Sequence, residues 1–264
     1  MAEYVPLESL VSDDKLSRVD NIEKHGAEVT EVLVRNVKCC FATESRRTLW
    51  QGVGLEHIEP DLLDFIDKIE LGSVFFDIGA SNGIFSIYAA NKGLNVYAFE
   101  PEIQNFGLLG KNVFLNNNSL GTLHSFNIAL SDQTRQGQMF IANYEAGGHM
   151  KILDTPQLVG SDSKFEPAFI QNSLCYKLDD FIALFSIPSP NYIKIDVDGS
   201  EYQTLCGMEA VLDTGSVHSL FIEVDDTSSS AKDIHNFIMS KGFQSISKTQ
   251  VQNYQGLNNY VYTR

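Results

Sequence analysis

The stretch VFFDIGASNGIFSIYAA, residues 74–90, decides the fold. Val74, Phe75 and Phe76 form a short apolar run suited to a strand covered on both faces, and Asp77 stands at its C-terminal end, where open α/β sheets bind ligands. Gly79 and Gly83 allow a tight turn and a close backbone approach. Ser81 or Asn82 is placed to cap the helix that follows, whose first N–H groups favour an anionic group. A strand, a glycine-bearing turn and a helix in immediate succession make a nucleotide-type ligand the expectation for this segment.

A second strand, NVYAFEPE (95–102), carries Glu100, which follows Asp77 at close to the ~20-residue spacing of an acid that grips ribose hydroxyls. Two carboxylates at neighbouring strand ends suit a ligand with an unphosphorylated ribose and a cationic part; they suit a pyrophosphate badly. The turn also lacks the full G-x-G-x-x-G pattern, which favours S-adenosylmethionine over a dinucleotide. An NAD-dependent oxidoreductase and a non-catalytic S-adenosylmethionine-binding module stand as rival readings.

The chain has 264 residues, 43% of them hydrophobic and 11% aromatic, enough for one large α/β domain with an elaboration. A net charge of −15 repels phosphate backbones and anionic membranes, so nucleic acid is disfavoured as a partner and RNA methylation is the weakest alternative. Cys39, Cys40, Cys175 and Cys206 follow no zinc-like spacing and read as reduced thiols. The first residues, MAEYVPLESLVSDDK, are too acidic for a signal peptide, and no apolar run nears the ~18 residues of a membrane span. A cytoplasmic protein is the expectation.

Residues 1–59 read as an N-terminal helical and strand extension, with mixed helical periodicity over 7–24 and strand-like alternation in EVLVRNVKCCFAT (31–43). EPDLLDFIDKIELG (59–72) is an amphipathic helix begun by Pro60 and ended by Gly72. Trp50, His57 and Glu59 are within reach of the cofactor pocket, with packing and capping the favoured roles for each. Residues 60–264 form the catalytic domain, whose alternating strands and helices imply a doubly wound, mostly parallel seven-stranded sheet with helices on both faces. A third strand is expected over 123–130. The long insertion 131–190, before the fourth core strand, carries a hairpin around 138–152 and reads as the acceptor-binding lid.

In IKIDVDGSE (193–201) the chain is apolar up to Asp196 and then turns to charge as the strand leaves the sheet. Strand alternation puts Lys194 and Asp196 on one face. The following strand, HSLFIEVDD (218–226), again ends in carboxylates, Glu223 among them. Asp196 is the candidate general base or metal ligand, Lys194 the residue that orients the acceptor or lowers the pKa of its oxygen, and Glu223 a second oxygen ligand should Mg²⁺ take part. Asp198 or Ser200 is a candidate cap for the next helix.

Three blocks, FFDIGASNG, VYAFEPE, and LDDFI leading into IKIDVDGSE, with a weaker fourth in FNIALSD (126–132), resemble the FkbM-type family of S-adenosylmethionine-dependent methyltransferases within the Rossmann-like class. The resemblance spans most of 59–224. It implies that Asp77, Gly79, Ser81, Asn82 and Gly83 line the methionyl end of the cofactor, that Glu100 holds the ribose, and that Asn127, Ala129 and Ser131 flank the adenine. It further implies O-methylation of a hydroxyl on a sugar, glycan or natural-product acceptor. The sequence departs from the family pattern at Ser81, at Asp198 and in the length of the insertion.

Overall fold

A computed structural model describes residues 12–17, 20, 28–148, 150–157, 163–252 and 254–264. Much of the expected helical stretch 7–24 lies outside these residues; 13–17 are helical. The expected strand-like segment 31–43 falls within an antiparallel hairpin of β1 (Glu28–Val34) and β2 (Val37–Thr43). Helices α1 (Arg46–Val53), α2 (Leu55–Ile58) and α3 (Pro60–Asp67) follow. Pro60 opens α3 at a position whose N–H needs no partner, and Leu62, Leu63, Phe65 and Ile66 form its buried face.

The central sheet joins β3 (Val74–Ile78), β4 (Asn95–Phe99), β5 (Thr122–Phe126), β10 (Tyr192–Ile195), β11 (Ser219–Asp225), β12 (Gln244–Gln250) and β13 (Leu257–Thr263) in the order β12-β13-β11-β10-β3-β4-β5. β5, β4, β3, β10 and β11 pair in parallel, whereas β13 is antiparallel to both its neighbours. Alternation divides the strands between two cores. Phe76, Ile78, Ile193, Ile195, Leu220 and Ile222 pack towards α6 (Leu178–Phe185), α7 (Glu201–Cys206), α8 (Glu209–Asp213) and α9 (Ala231–Ser240). Phe75, Val96 and Phe221 face the other way, against α3 and α4 (Ile84–Lys92), and Ala98 on that face meets Leu109 of α5 (Ile103–Leu115). Phe75 and Phe76 are fully buried, each worth about 1.5–3 kcal/mol in transfer free energy.

The insertion builds its own four-stranded sheet from β6 (Ala129–Leu130), β7 (Arg135–Ile141), β8 (Lys151–Leu153) and β9 (Phe169–Tyr176), ordered β6-β9-β7-β8. The expected hairpin is β7 with β8, paired from Met139–Leu153 to Ile141–Lys151. Two expectations are corrected. The run 123–130 is two strands in two sheets, because Asn127 leaves the ladder and its side-chain amide donates to the carbonyls of Glu100 and Pro101. The segment 178–185 belongs to the main body, since Leu178 and Phe181 of α6 are buried in the central core.

Candidate active site

Parallel pairing of β3 with β10 puts Asp77 beside Lys194. Both are buried, a position an ionised group holds only when paired. Asp77 Oδ2 accepts from Ser86 Oγ of α4 at 2.5 Å, and Asp77 Oδ1 lies 3.2 Å from Lys194 Nζ. The same ammonium donates to the Gly79 carbonyl at 2.7 Å and stands 3.3 Å from Asp196 Oδ2. Burial pulls the Lys194 pKa down, but the charges of Asp77, Asp196 and Glu59 outweigh it and keep the amine protonated. Held by a hydrogen bond to the Gly79 carbonyl and ion pairs to two carboxylates, Lys194 is placed to act through Asp77 and Asp196.

The turn after β3 is held against the end of β4. Gly79 N and Ala80 N both donate to the Phe99 carbonyl at 3.0 Å, and Ser81 N donates to Glu100 Oε2 at 2.7 Å. Glu100 Oε1 accepts from Glu102 N at 2.8 Å. Burial pushes the Glu100 carboxyl up to about 7, opposed by those two amides and by Lys151. Gly79 has φ +78°, and a Cβ there would overlap the Asp196 carbonyl oxygen; the close approach it permits is therefore between strand ends. The expected capping by Ser81 or Asn82 is corrected: Gly83 is the N-cap of α4 and no side chain bonds there. Ser81 sits at φ +50°, outside the extended geometry of a capping residue. Asn82 Nδ2 donates to Gln51 Oε1 at 2.8 Å, and its buried Oδ1 has no partner.

Asp77, Gly79, Ser81, Asn82, Gly83, Glu100 and Asn127 thus come together around the ends of β3, β4 and β5. Ala129 pairs with Cys175, and Ser131 N donates to the Tyr176 carbonyl, which ties both to the insertion sheet. The chemistry of the gathered groups fits an S-adenosylmethionine-type ligand. Glu100 retains acceptor capacity for ribose hydroxyls, Asn82 Oδ1 lacks a donor, and the neighbouring ammoniums of Lys194 and Lys151 are already engaged.

The insertion reaches over this turn through the segment between β7 and β8. Gly147 N donates to Asn105 Oδ1 at 2.7 Å, while Arg47 Nε and Gln51 Nε2 donate to the Gly147 carbonyl at 2.5 and 3.2 Å. Lys151 Nζ, at the start of β8, forms a buried ion pair with Glu102 Oε2 at 2.5 Å. Gln51 consequently links Gly147 to Asn82. None of these contacts has a sequence signal, because each joins residues 31 to 100 positions apart.

On the other side of Lys194, β10 and β11 end in carboxyls. Asp198 Oδ2 accepts from Lys151 N at 3.3 Å, and Glu201 Oε1 accepts from Gly199 N at 3.0 Å. Ser200 is the N-cap of α7 but makes no side-chain cap bond, so the expected capping is corrected for that residue. Burial pushes Glu201 up to about 7. Burial, reinforced by Asp196, pushes Glu223 up to about 10 and Glu59 up to about 8. Trp50 and His57 are exposed. Glu59, expected to pack or cap, caps nothing with its side chain and instead brings its carboxyl to Asp196 and Lys194 from the start of α3. Among the described residues no three His, Cys, Asp or Glu side chains are grouped to hold a metal ion, so the Mg²⁺ expectation for Asp196 and Glu223 finds no ligand set.

Comparison with known proteins bears on the family and the fold. The methyltransferase FkbM domain matches over residues 77–245. The hexuronic acid methyltransferase AglP of Haloferax volcanii is 23% identical over 184 residues, covering 70% of this chain and 69% of that protein. The crystal structure of methyltransferase FkbM from Methylobacillus flagellatus KT superposes with a TM-score of 0.52 at 16% identity, over 75% of this chain. The matched region spans 45% of that larger chain, and the likeness shows a shared fold.

Proposed function

The chain belongs to the methyltransferase FkbM domain family, and from that premise we propose that it moves a methyl group from S-adenosylmethionine to a hydroxyl of a sugar, glycan or natural-product acceptor. The observation that carries the reading is the pair of acids, Asp77 and Glu100, at adjoining strand ends and joined through the turn that ends at Gly83. Asp77 and the 79–83 turn would hold the methionyl part, Glu100 the ribose, and Asn127 the edge of the adenine. When bound, S-adenosylmethionine supplies a methyl group activated by its sulfonium.

Asp196 is the proposed base. Its carboxylate would take the proton of the acceptor hydroxyl, to whose oxygen the bound donor would supply the methyl group. Lys194 holds Asp196 and the donor turn in one frame, so its part is positioning; aligned reactants can account for up to about 7–11 kcal/mol of barrier lowering. A sugar acceptor is supported by the hexuronic acid methyltransferase relative. Residues 60–264 act as the catalytic domain, with the insertion sheet supplying one wall of the acceptor side. Free thiols at all four cysteines suit work in the cytoplasm.

Asp196→Asn tests the assignment. General-base loss lowers turnover by about 10²–10⁴-fold, while calorimetric affinity for S-adenosylhomocysteine stays within threefold. Unchanged turnover removes Asp196 from the base role, and absence of S-adenosylhomocysteine uptake by the folded wild type overturns the function.

A further inference from the structure

The face of the sheet that carries Asp77 and Lys194 continues across β11 and β13 as a row of hydrogen-bond acceptors. Ile195 pairs with Ile222, so Asp196, just past the end of β10, comes beside Glu223 of β11, and Glu223 lies directly opposite Asn259. The first turn of α3 closes the row from above with Glu59 and Asp61. Asn259 is 4% exposed, and its Nδ2 donates to Asp61 Oδ2 at 3.1 Å. That bond fixes the orientation of the amide, because a flipped Asn259 would set two acceptors against each other. Asn259 Oδ1 is left buried with no donor, on the strand face it shares with Glu223. Among the described residues the carboxyls of Glu59 and Glu223 likewise enter no hydrogen bond or ion pair. Lys194, the one ammonium in the row, is already engaged by Asp77, Asp196 and the Gly79 carbonyl.

Carboxyls outnumber cations along this row, Glu59 and Glu223 sit outside any ion pair and Asn259 Oδ1 has no donor, an arrangement that favours a ligand bringing positive charge. The donor's own amino group does not answer this. It belongs at the β3 turn, and strands about 4.8 Å apart place β11 roughly 10 Å and β13 roughly 14 Å from β3.

We propose that the acceptor carries an ammonium group, held by Glu59, Glu223 and Asn259 beside the hydroxyl presented to Asp196, so that the substrate is an amino sugar or a similar amine-bearing polyol. A hexuronate, the acceptor type named for the AglP relative, would set its carboxylate against this row. The inference rests on the methyl-transfer reading of the site.

Calorimetry on protein saturated with S-adenosylhomocysteine, using methyl glucosaminide, its N-acetyl derivative and methyl glucuronide, provides the test. The amine binds at least tenfold tighter than the N-acetyl compound, and the glucuronide binds weakest. Glu223→Gln and Glu59→Gln, two variants in case one does not fold, each narrow the amine preference at least threefold. Equal binding of amine and N-acetyl forms, tighter binding of the glucuronide, no binding of any probe, or a preference untouched in both variants overturns the proposal. The same titration without S-adenosylhomocysteine separates the two claims. Protein that binds the amine but never takes up S-adenosylhomocysteine keeps the ammonium site and loses the methyltransferase reading.

Discussion

Gly79→Ala and Gly72→Ala form a matched pair that isolates the contact between β3 and β10. Both glycines have nearly the same left-handed backbone, φ +78° and +81°. A Cβ at Gly72 meets nothing within 4 Å, whereas at Gly79 it overlaps the Asp196 carbonyl oxygen. The left-handed conformation alone costs an L-residue about 1–2 kcal/mol, offset by about 0.4–1 kcal/mol from the stiffer unfolded chain. Gly72→Ala therefore loses about 0.5–1.5 kcal/mol by these terms. Gly79→Ala adds the forced separation of two strand ends, about 1–3 kcal/mol by analogy with overpacked cores. At about 2–4 °C per kcal/mol, the melting temperature falls by about 1–6 °C in the first variant and about 3–18 °C in the second. The Gly79 carbonyl also holds Lys194, so Gly79→Ala weakens S-adenosylhomocysteine binding while Gly72→Ala leaves it alone. Scanning calorimetry and ligand titration read both quantities. Equal melting shifts in the two variants, or an unchanged affinity in Gly79→Ala, would refute the reasoning.

Three further outcomes follow from the buried charges. Lys194→Met strands Asp77 and Asp196 without their cation and costs about 3–5 kcal/mol in urea unfolding at pH 7.5. A loss under 1 kcal/mol would show that the pair is not buried as described. Glu59, Glu100, Glu201 and Glu223 are all raised above the ordinary 4.5, to about 8, 7, 7 and 10, chiefly by burial. The native state then keeps protons the unfolded chain has released, so stability falls as pH rises from about 4.5 to about 10, each group contributing up to about 1.4 kcal/mol per pH unit. Glu223→Gln flattens that slope between pH 6 and 9; a wild-type urea midpoint that climbs over this range contradicts the assignment. Ser86→Ala removes the hydroxyl from Asp77 Oδ2 and lowers stability by about 1–3 kcal/mol, measured from the urea midpoint, and a neutral result would mean that solvent replaces that bond.

The strand ends and turn of the proposed donor half were legible because their signals are local. Asp77, Gly79 and Gly83 sit in one strand–turn–helix unit, and Glu100 ends the next strand of the same crossover. What was not legible depends on packing between distant segments. Glu59 precedes Pro60, so sequence points to a capping role, and only the packing of α3 over the strand ends carries its carboxyl to Asp196. The continuous run from Leu123 to Leu130 concealed the break at Asn127, whose amide bonds the carbonyls of Glu100 and Pro101 and sends the chain into a second sheet. The Gly147 contacts with Asn105, Arg47 and Gln51 have no periodicity to betray them.

Two ionic clusters within one chain separate what serves folding from what serves binding. Beside α3, the Asp67 carboxylate meets Lys92, Arg35 and the Tyr88 hydroxyl, and Arg35 also pairs with Asp64. Two cations there balance two anions, and the partners outweigh desolvation to hold Asp67 below its usual range. At the strand ends the balance is broken: Lys194 pairs with Asp77 and Asp196, Glu59 adds a third carboxyl near it, and Glu223 lies near Asp196 and Glu59 with no cation of its own. Burial of unbalanced carboxyls opposes folding, and apolar residues of similar size would be neutral or favourable in their place. A chain able to build the balanced cluster has no folding reason to build the other. The absent positive charge is best understood as one that arrives with the substrate, which is why removing a single carboxyl, as in Glu223→Gln, is expected to stabilise the free protein while weakening its hold on an amine.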